Sequence, residues 1–268
     1  MFNKSKVDEG MNPWKGVALD DYENHMALAS VGQLQELDAI MHEQFSAYPV
    51  GSVAIFGVAG GNGLANLYGL SEIKDIYGID INPDYLEASS KRHPDLSGRY
   101  HTLQADINES VAAIPEVDMV VANLFIEYVG CANFAKAVAR THADYVSCVI
   151  QVDTAERLVS DVPNTVGSSV SDSHSVDGSL DSDVSSAGES FVSESPYAAR
   201  LEVLGSVHVT VNADELIRSL AAIGYRLIDR KESTLPNGKQ FHRLDFKKYN
   251  ADPQDPHFEQ LGLDSCGE

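Results

Sequence analysis

The sequence has few basic residues, few cysteines and no long apolar run. Lys and Arg together number 19 against 40 Asp and Glu, which gives a net charge of −21. A protein that tracks a nucleic-acid backbone needs Lys and Arg for the phosphates, so this balance argues against a long nucleic-acid groove. No stretch reaches the length of a membrane span, and the first ten residues lack the apolar segment of a signal peptide. We therefore expect a cytoplasmic protein without nucleic-acid or membrane partners.

The three cysteines show neither a pairing pattern nor a metal-binding spacing. Cys131 and Cys148 fall within apolar stretches, and Cys266 lies near the end of the sequence. Buried free thiols in a reducing compartment are the expected state. The sequence contains no C-x-x-C motif and no His/Cys cluster, so it predicts no metal site.

The most informative stretch is a glycine-rich turn between two apolar runs. Val53 to Val58 form the first run, Ala59 to Gly63 form the turn, and Ile76 to Ile79 form a second run that ends at Asp80. Strand, glycine turn, helix, strand and acid make up the first half of a doubly wound nucleotide-binding sheet. Glycines let the backbone approach a ligand closely. Asp80 is placed to accept hydrogen bonds from two ribose hydroxyls.

The glycine spacing separates two kinds of nucleotide cofactor. A dinucleotide site requires G-x-G-x-x-G, but counting from Gly61 puts Asn66 where the third glycine belongs. The turn resembles motif I of class I S-adenosylmethionine (SAM) methyltransferases, D/E-x-G-x-G-x-G, in which Gly61 and Gly63 match the second and third glycines. Ala59 stands in the place of the first glycine, and Gly57 in the place of the acid. That acid helps to hold the methionine ammonium group, so the resemblance implies that another residue does so here.

The resemblance continues in order along the chain, over roughly residues 50–152 by motif and 205–248 by topology. Asp80 and Ile81 lie in a segment similar to motif II. Asp106 and Ile107 resemble the turn after strand three, where the acid bonds the adenine amino group and the apolar residue covers the ring. Asn123 ends a segment similar to strand four, which faces the transferred methyl group. The resemblance implies SAM as the cofactor and these cofactor-binding residues: Tyr22, Gly57, Ala59, Gly61, Gly63, Asp80, Ile81, Asp106, Ile107 and Asn123.

Four further segments resemble a bacterial subgroup of small class I methyltransferases of unassigned substrate: DYENHM, ANLFIEYV, SESPY and LPNGKQFHRLDF. Within the first, Tyr22 is a candidate to hold the methionine carboxylate, with ordinary helix packing as the alternative. Glu127 and Tyr128 follow strand four, at the sheet edge where ligands bind, and are the candidate catalytic residues. They could orient or deprotonate an acceptor, and helix surface or core packing is an equally open interpretation.

The resemblance implies a Rossmann-like, doubly wound α/β fold. Its seven-stranded mixed sheet has the order 3-2-1-4-5-7-6 and ends in an antiparallel hairpin. The residues support that ending, because Asn237 and Gly238 form a strong hairpin signal between two strand-like runs. Capping boxes are expected at Asp20 with Glu23 and at Asn212 with Glu215, and one helix is expected from about Phe125 to Arg140.

The chain is long enough for one such domain with additions. Residues 1–19 are polar and predict a flexible arm, and residues 20–248 form the predicted domain with a helical cap over 20–48. Residues from about 165 to 195 contain twelve serines and six acids. So few apolar side chains cannot offset the entropy of ordering, which predicts a disordered insertion. Residues 249–268 are read as an acidic tail.

The leading functional hypothesis is a SAM-dependent methyltransferase that acts on O or N of a small molecule. An NAD(P)-dependent oxidoreductase is the alternative enzyme, and Asn66 and the terminal hairpin count against it. A non-catalytic SAM-binding regulatory protein stays open because Gly57 replaces the motif acid. Protein methylation, with the serine-rich segment recruiting a partner, is a further possibility. The residues do not disclose the acceptor or the oligomeric state.

Overall fold

The computed structural model describes residues 12–109, 113–152 and 207–249, together with Leu201 and Leu204. The helices in these ranges are α1 (Leu19–Ala27), α2 (Gln33–Ala47), α3 (Pro83–Arg92), α4 (Ile126–Val129), α5 (Cys131–Thr141) and α6 (Ala213–Ala221). The strands are β1 (Ser52–Phe56), β2 (Asp75–Asp80), β3 (Tyr100–Gln104), β4 (Met119–Asn123), β5 (Tyr145–Val152), β6 (Tyr225–Thr234) and β7 (Gln240–Lys248). None of these helices is long and apolar enough to cross a membrane.

The strands form one mixed sheet of order β3-β2-β1-β4-β5-β7-β6, which confirms the predicted order. Strands β1 to β5 pair in parallel, and β7 runs antiparallel to both β5 and β6. The β6–β7 connection is the predicted hairpin, in which Gly238 has a φ of 82°. Because β2, β1 and β4 are parallel neighbours, the loops that follow them meet at one edge of the sheet.

Alternate residues of the central strands bury themselves on opposite faces. On β1, Ala54 and Phe56 join the core under α5 and α6, whereas Val53 and Ile55 join the core under α2 and α3. Strand β4 divides in the same way. A parallel sheet covered by helices on both faces needs strands that are apolar at every position. This explains why the sequence of β1 reads as one continuous apolar run.

The two predicted capping boxes have different outcomes. Asn212 caps α6 by accepting from the backbone N–H groups of Asp214 and Glu215, as expected. The box at Asp20 is wrong, because α1 begins at Leu19 and Ala18 occupies the cap position without a side-chain hydrogen bond. Asp20 lies instead within the first turn, where the positive end of the helix dipole stabilises its carboxylate.

Two other sequence assignments are corrected, and two fall outside the described residues. The helix expected from Phe125 to Arg140 is divided into α4 and α5, because Gly130 adopts φ 76° and ψ 156°, which no α-helix contains. Residues 12–18, assigned to a loose arm, are packed onto the domain, and a 3₁₀ helix spans Pro13–Lys15. The predicted serine-rich insertion lies outside the described residues, as does the predicted acidic tail except for Tyr249.

A buried polar network crosses the sheet at Asp245 on β7. Its carboxylate accepts from Nε and Nη2 of Arg243 at 3.0 and 2.6 Å, and from the Tyr48 hydroxyl at 2.8 Å. It also accepts from the hydroxyl of Ser147 on β5. Arg243, Asp245 and Ser147 are all buried. Charges are tolerated at such a position only when hydrogen bonds compensate for the water they have lost.

The network reaches the sheet edge through Gln44 of α2. Its Nε2 donates to Ser147 Oγ at 2.8 Å and to Asn123 Oδ1 at 3.0 Å. Asn123 Nδ2 donates back to Gln44 Oε1 at 2.9 Å. Gln44 therefore fixes α2 on β4 and β5, and α2 in turn fixes the side chain of Asn123.

We predict that Asp245→Ala lowers the free energy of unfolding by about 3–5 kcal/mol, because the buried Arg243 guanidinium loses both hydrogen bonds to a buried carboxylate and keeps only the one to the exposed Glu43. Asp229 is exposed and is the register partner of Asp245 on β6, so Asp229→Ala is the matched control. That control should change stability by less than about 0.5 kcal/mol. Urea unfolding measures both variants. Equal losses in the two would contradict the assigned role of Asp245.

Candidate functional site

The loops after β1, β2 and β4 surround an open cleft. Cofactor and small-molecule sites commonly lie in concave places of this kind, at the switch point of an α/β sheet. The cleft is lined by Asn12, Trp14, Tyr22, Gly57, Ala59, Ile79, Asp80, Ile81, Tyr85, Ala105, Asp106, Ile107, Asn108, Asn123, Leu124, Phe125, Tyr128 and Val129.

Most residues selected from the sequence come together at this cleft. Those in its lining are Tyr22, Gly57, Ala59, Asp80, Ile81, Asp106, Ile107, Asn123 and Tyr128. Gly61, Gly63 and Glu127 are not in the lining. Glu127 borders an adjoining smaller chamber instead.

Gly61 and Gly63 lie where neighbouring side chains pack against the turn, outside the cleft lining. A Cβ added at Gly61 would lie 2.9 Å from Cδ2 of His93, and one at Gly63 would lie 2.4 Å from Sδ of Met41. Both glycines also have a positive φ, 84° and 81°. They therefore let neighbouring elements pack closely against the turn, and the cleft is lined by residues earlier in the turn.

Gly57 occupies the place where the resemblance puts an acid. Its φ is +70°, and an added Cβ would lie 2.6 Å from Cδ2 of Phe125. The Phe125 ring packs against Phe56, with ring centroids 6.0 Å apart. An aromatic ring thus fills the space that a side chain at position 57 would need. Phe125 is not predictable as a cleft residue, because nothing in its local sequence pattern indicates that it will meet Gly57.

Asp80 joins the end of β2 to the glycine turn. Its Oδ2 accepts from the Ala59 N–H at 3.0 Å, and its Oδ1 accepts from the Asn82 N–H at 2.9 Å. Burial raises the pKa of the Asp80 carboxyl, whereas backbone N–H groups, with Asn82 first, act in the opposite direction. Each carboxylate oxygen has a second lone pair, so Asp80 retains acceptor capacity toward the cleft.

The segment before α1 covers one side of the cleft. Trp14, the only tryptophan of the chain, packs edge-on against Tyr22 and Tyr128, with centroids 5.3 and 4.8 Å apart. The carbonyl oxygen of Trp14 accepts from Nδ2 of Asn82 at 2.9 Å. Trp14 falls within the predicted flexible arm, so its place at the cleft was not predicted. Its being a lone aromatic residue in a polar segment is the sequence signal for that role.

A second contact holds α1 over the glycine turn. Nη2 of Arg92 on α3 donates to Oε2 of Glu23 at 2.9 Å, and Nη1 donates to the other carboxylate oxygen. Nη1 also donates to the carbonyl of Gly60 at 3.2 Å, and Nδ2 of Asn62 donates to Glu23 at 3.1 Å. The bidentate pair therefore ties two helices to the turn between them.

Two backbone positions at this edge are strained. Ala59 has a φ of 48° and Leu124 a φ of 50°, in the left-handed region that residues with a Cβ seldom adopt. Leu124 directly follows Asn123, whose side-chain amide is paired with Gln44. Strain of this kind concentrates at ligand sites, where the surrounding structure holds it in place.

Glu127 is buried at the side of the cleft, on α4. Oε1 accepts from the Gln151 N–H at 2.8 Å, whereas Oε2 has no hydrogen-bond partner in the part of the chain that the structure describes. Burial raises the pKa of the Glu127 carboxyl to about 7, although the hydrogen bond from Gln151 acts in the opposite direction. The structure therefore holds one carboxyl group poised to exchange a proton near neutral pH.

We predict that Gly57→Ala lowers the free energy of unfolding by about 2–4 kcal/mol, through backbone strain and the clash with Phe125. Gly98 isolates the strain, because its φ is +87° and an added Cβ would meet no atom within 4 Å. Gly98→Ala should therefore cost only about 1 kcal/mol. Urea unfolding compares the two. Equal costs would show that Phe125 does not exclude a side chain at position 57.

We also predict that Glu127→Gln is more stable than the unchanged protein above pH 7. The pKa of Glu127 is about 7 in the folded state, against an ordinary value of 4.5. Between pH 4.5 and pH 7 the folded state therefore binds more protons than the unfolded state. Stability therefore falls as pH rises through that window, by up to about 3 kcal/mol. Glutamine removes this loss, while its Oε1 can still accept from Gln151. Urea unfolding at pH 5 and pH 8 tests this, and the same pH dependence in both proteins would contradict it.

Within the described ranges, no group of three or more His, Cys, Asp and Glu side chains is arranged to hold a metal ion. No protein-family model matches the sequence, and no curated protein matches it.

Solved structures resemble the fold at low sequence identity. The magnesium protoporphyrin IX methyltransferase ChlM from Synechocystis PCC 6803 has 10% identity and a TM-score of 0.56, covering 88% of this chain and 96% of its own. YcgJ from Bacillus subtilis has 9% identity and a TM-score of 0.53, covering 81% and 99%. The [4+2]-cyclase SpnF has 10% identity and a TM-score of 0.52, covering 80% and 81%. Together with the order of the seven strands, these likenesses establish that the chain has the fold of the class I SAM-dependent methyltransferases.

Proposed function

We propose that this protein is a SAM-dependent methyltransferase that acts on O or N of a small-molecule acceptor. The observation that carries the proposal is the cleft at the carboxyl ends of β1, β2 and β4, with Asp80 in its wall. In open α/β sheets, ligands bind in the crevice at this edge. The ChlM structures that share the fold were solved with bound S-adenosylhomocysteine or SAM.

The cleft residues fit such a cofactor in their chemistry. Asp80 has free acceptor lone pairs for ribose hydroxyls, and Asp106 supplies a second carboxylate for the adenine amino group. Ile81 and Ile107 offer apolar surface to a purine ring. Tyr22 is the proposed contact to the methionine end, since Phe125 takes the space beside Gly57. When bound, SAM supplies a methyl group on a positively charged sulfur, which is readily displaced by a nucleophile.

The chain itself has to position the acceptor and exclude water. Trp14, Tyr22 and Tyr128 cover the cleft with aromatic surface. The net charge of −21 favours a small acceptor over a nucleic acid, whose phosphates need Lys and Arg.

Other functions are weighed against the same observations. The [4+2]-cyclase SpnF has a similar fold, so the fold by itself does not determine the reaction. A SAM-binding protein without catalysis is favoured by Gly57, which lacks the acid of the motif. An oxidoreductase is disfavoured, because the antiparallel β7 replaces the parallel sixth strand usual in dinucleotide dehydrogenases.

Calorimetric titration with SAM, S-adenosylhomocysteine and NAD separates these functions. Micromolar binding of both SAM compounds, without NAD binding, would support the proposal, and methylation of an acceptor would then exclude a purely regulatory role. Binding of NAD alone would overturn the proposal. Binding of none of the three would point to a site that has lost its ligand.

We predict that Asp80→Asn weakens SAM binding about 10- to 100-fold, because one carboxylate acceptor becomes an N–H donor and the charge is lost. Asp95 is exposed in the turn after α3, so Asp95→Asn is the control and should bind as the unchanged protein does. Calorimetry measures both affinities, and thermal unfolding verifies that each variant is folded. Unchanged affinity in Asp80→Asn would contradict the assigned ribose contact.

A further inference from the structure

A narrow chamber, with room for little more than one water-sized group, adjoins the cleft. It is lined by Tyr22, Met26, Leu124, Glu127, Tyr128, Gln151 and His208. Tyr22, Leu124 and Tyr128 belong to both spaces. The chamber and the cleft are therefore adjoining spaces with shared walls.

The chamber contains an unsatisfied acceptor. Glu127 is 2% exposed, and its Oε2 has no partner among the described residues, whereas Oε1 accepts from the Gln151 N–H. Buried polar groups in proteins nearly always have a hydrogen-bond partner, and leaving a charged one unpaired is costly. An ionised carboxylate can only accept, so the missing partner must be a donor.

The remaining lining defines the charge of that donor. Among the residues that the structure describes, the chamber is lined by no Lys or Arg, so an acceptor molecule with a carboxylate or a phosphate would meet no such counter-ion there. Asp80 and Glu127 both raise the pKa of Tyr22 through their charges, so their carboxylates favour a cation at this place. Aromatic rings complete the walls, with Tyr128 packed edge-on against His208 at 5.5 Å. A carboxylate among aromatic rings favours a cation.

We propose that the acceptor is a small amine whose ammonium group enters this chamber and pairs with Oε2 of Glu127, while the rest of the amine lies in the cleft. This rests on the proposed function, because the amine is the group to be methylated. The proton of the ammonium passes to Glu127, and the nitrogen lone pair then bonds to the methyl carbon of SAM. The electron pair of the broken carbon–sulfur bond stays on sulfur, which gives S-adenosylhomocysteine and a methylated amine.

The first test compares three ligands with a similar skeleton: 2-phenylethylamine, 2-phenylethanol and 3-phenylpropanoic acid. Calorimetry with saturating S-adenosylhomocysteine measures their binding without turnover, and product formation with SAM measures methylation. The amine should bind at least about tenfold more tightly than the other two, and it alone should be methylated. Preference for the alcohol or the acid would overturn the proposal, and so would a failure of all three to bind.

The second test removes the carboxylate. Glu127→Gln should bind S-adenosylhomocysteine normally, bind the amine at least about tenfold more weakly and methylate it at least about 100-fold more slowly. Glu72 is exposed, so Glu72→Gln removes the same charge elsewhere and should keep full activity. Unchanged amine binding in Glu127→Gln would overturn the proposal. If the unchanged protein did not bind SAM at all, that result would instead refute the proposed function itself.

The pH profile distinguishes a proton acceptor from a structural carboxylate. The groups that face Glu127 are Tyr22, Tyr128, Cys131, Cys148 and His208. Burial raises the pKa of the two tyrosines and the two cysteines, so these four stay neutral near pH 7. The rate with the amine should rise as Glu127 ionises around pH 7. That limb should persist in His208→Gln and disappear in Glu127→Gln; the reverse pattern would overturn the assignment.

Discussion

The sheet edge that carries the candidate site depends on the buried ion pair between Asp245 and Arg243. It lies on the antiparallel strand β7, and its hydrogen bonds reach Ser147 on β5 and, through Gln44, Asn123 at the end of β4. Charges of this kind do not necessarily add stability. They do demand specific partners, and those partners here come from α2 and from three strands. The position of α2 over the sheet edge follows from that demand.

The covering helices then determine the shape of the candidate site. Helix α2 is fixed by Gln44, and α1 is held over the glycine turn by the Glu23–Arg92 pair. Tyr22 of α1 lines both the main cleft and the chamber beside Glu127. Under the proposed function, cofactor and acceptor therefore occupy adjoining spaces with shared walls. A transfer reaction requires this arrangement, because its rate depends on holding two reactants in contact without water.

Gly57 illustrates how one substitution in a motif changes the chemistry around it. The acid of the resembled motif is absent, and the ring of Phe125 fills the space. The carboxylates near the site include Asp80, Asp106 and Glu127 in the walls and Glu23 beside them, and Glu23 is neutralised by Arg92. Glu127 has no such partner among the described residues. A buried acid without a counter-charge destabilises the fold above neutral pH, and proteins retain such groups where a ligand uses them.

The sequence by itself determined the strands and the terminal hairpin, because continuous apolar runs, glycine turns and the Asn237–Gly238 pair are local signals that tertiary packing did not override. The order of the strands came from the resemblance to class I methyltransferases, since no local signal encodes it. Half of the cleft lining was also located, since Asp80, Asp106 and Asn123 lie at or just after the ends of strands that must meet at one edge. Only the tertiary structure decided what depends on contacts between distant residues: Phe125 beside Gly57, Trp14 over the cleft, Gln44 on Asn123, and the unpaired oxygen of Glu127. Periodicity predicts which residues are buried, but it does not identify their partners.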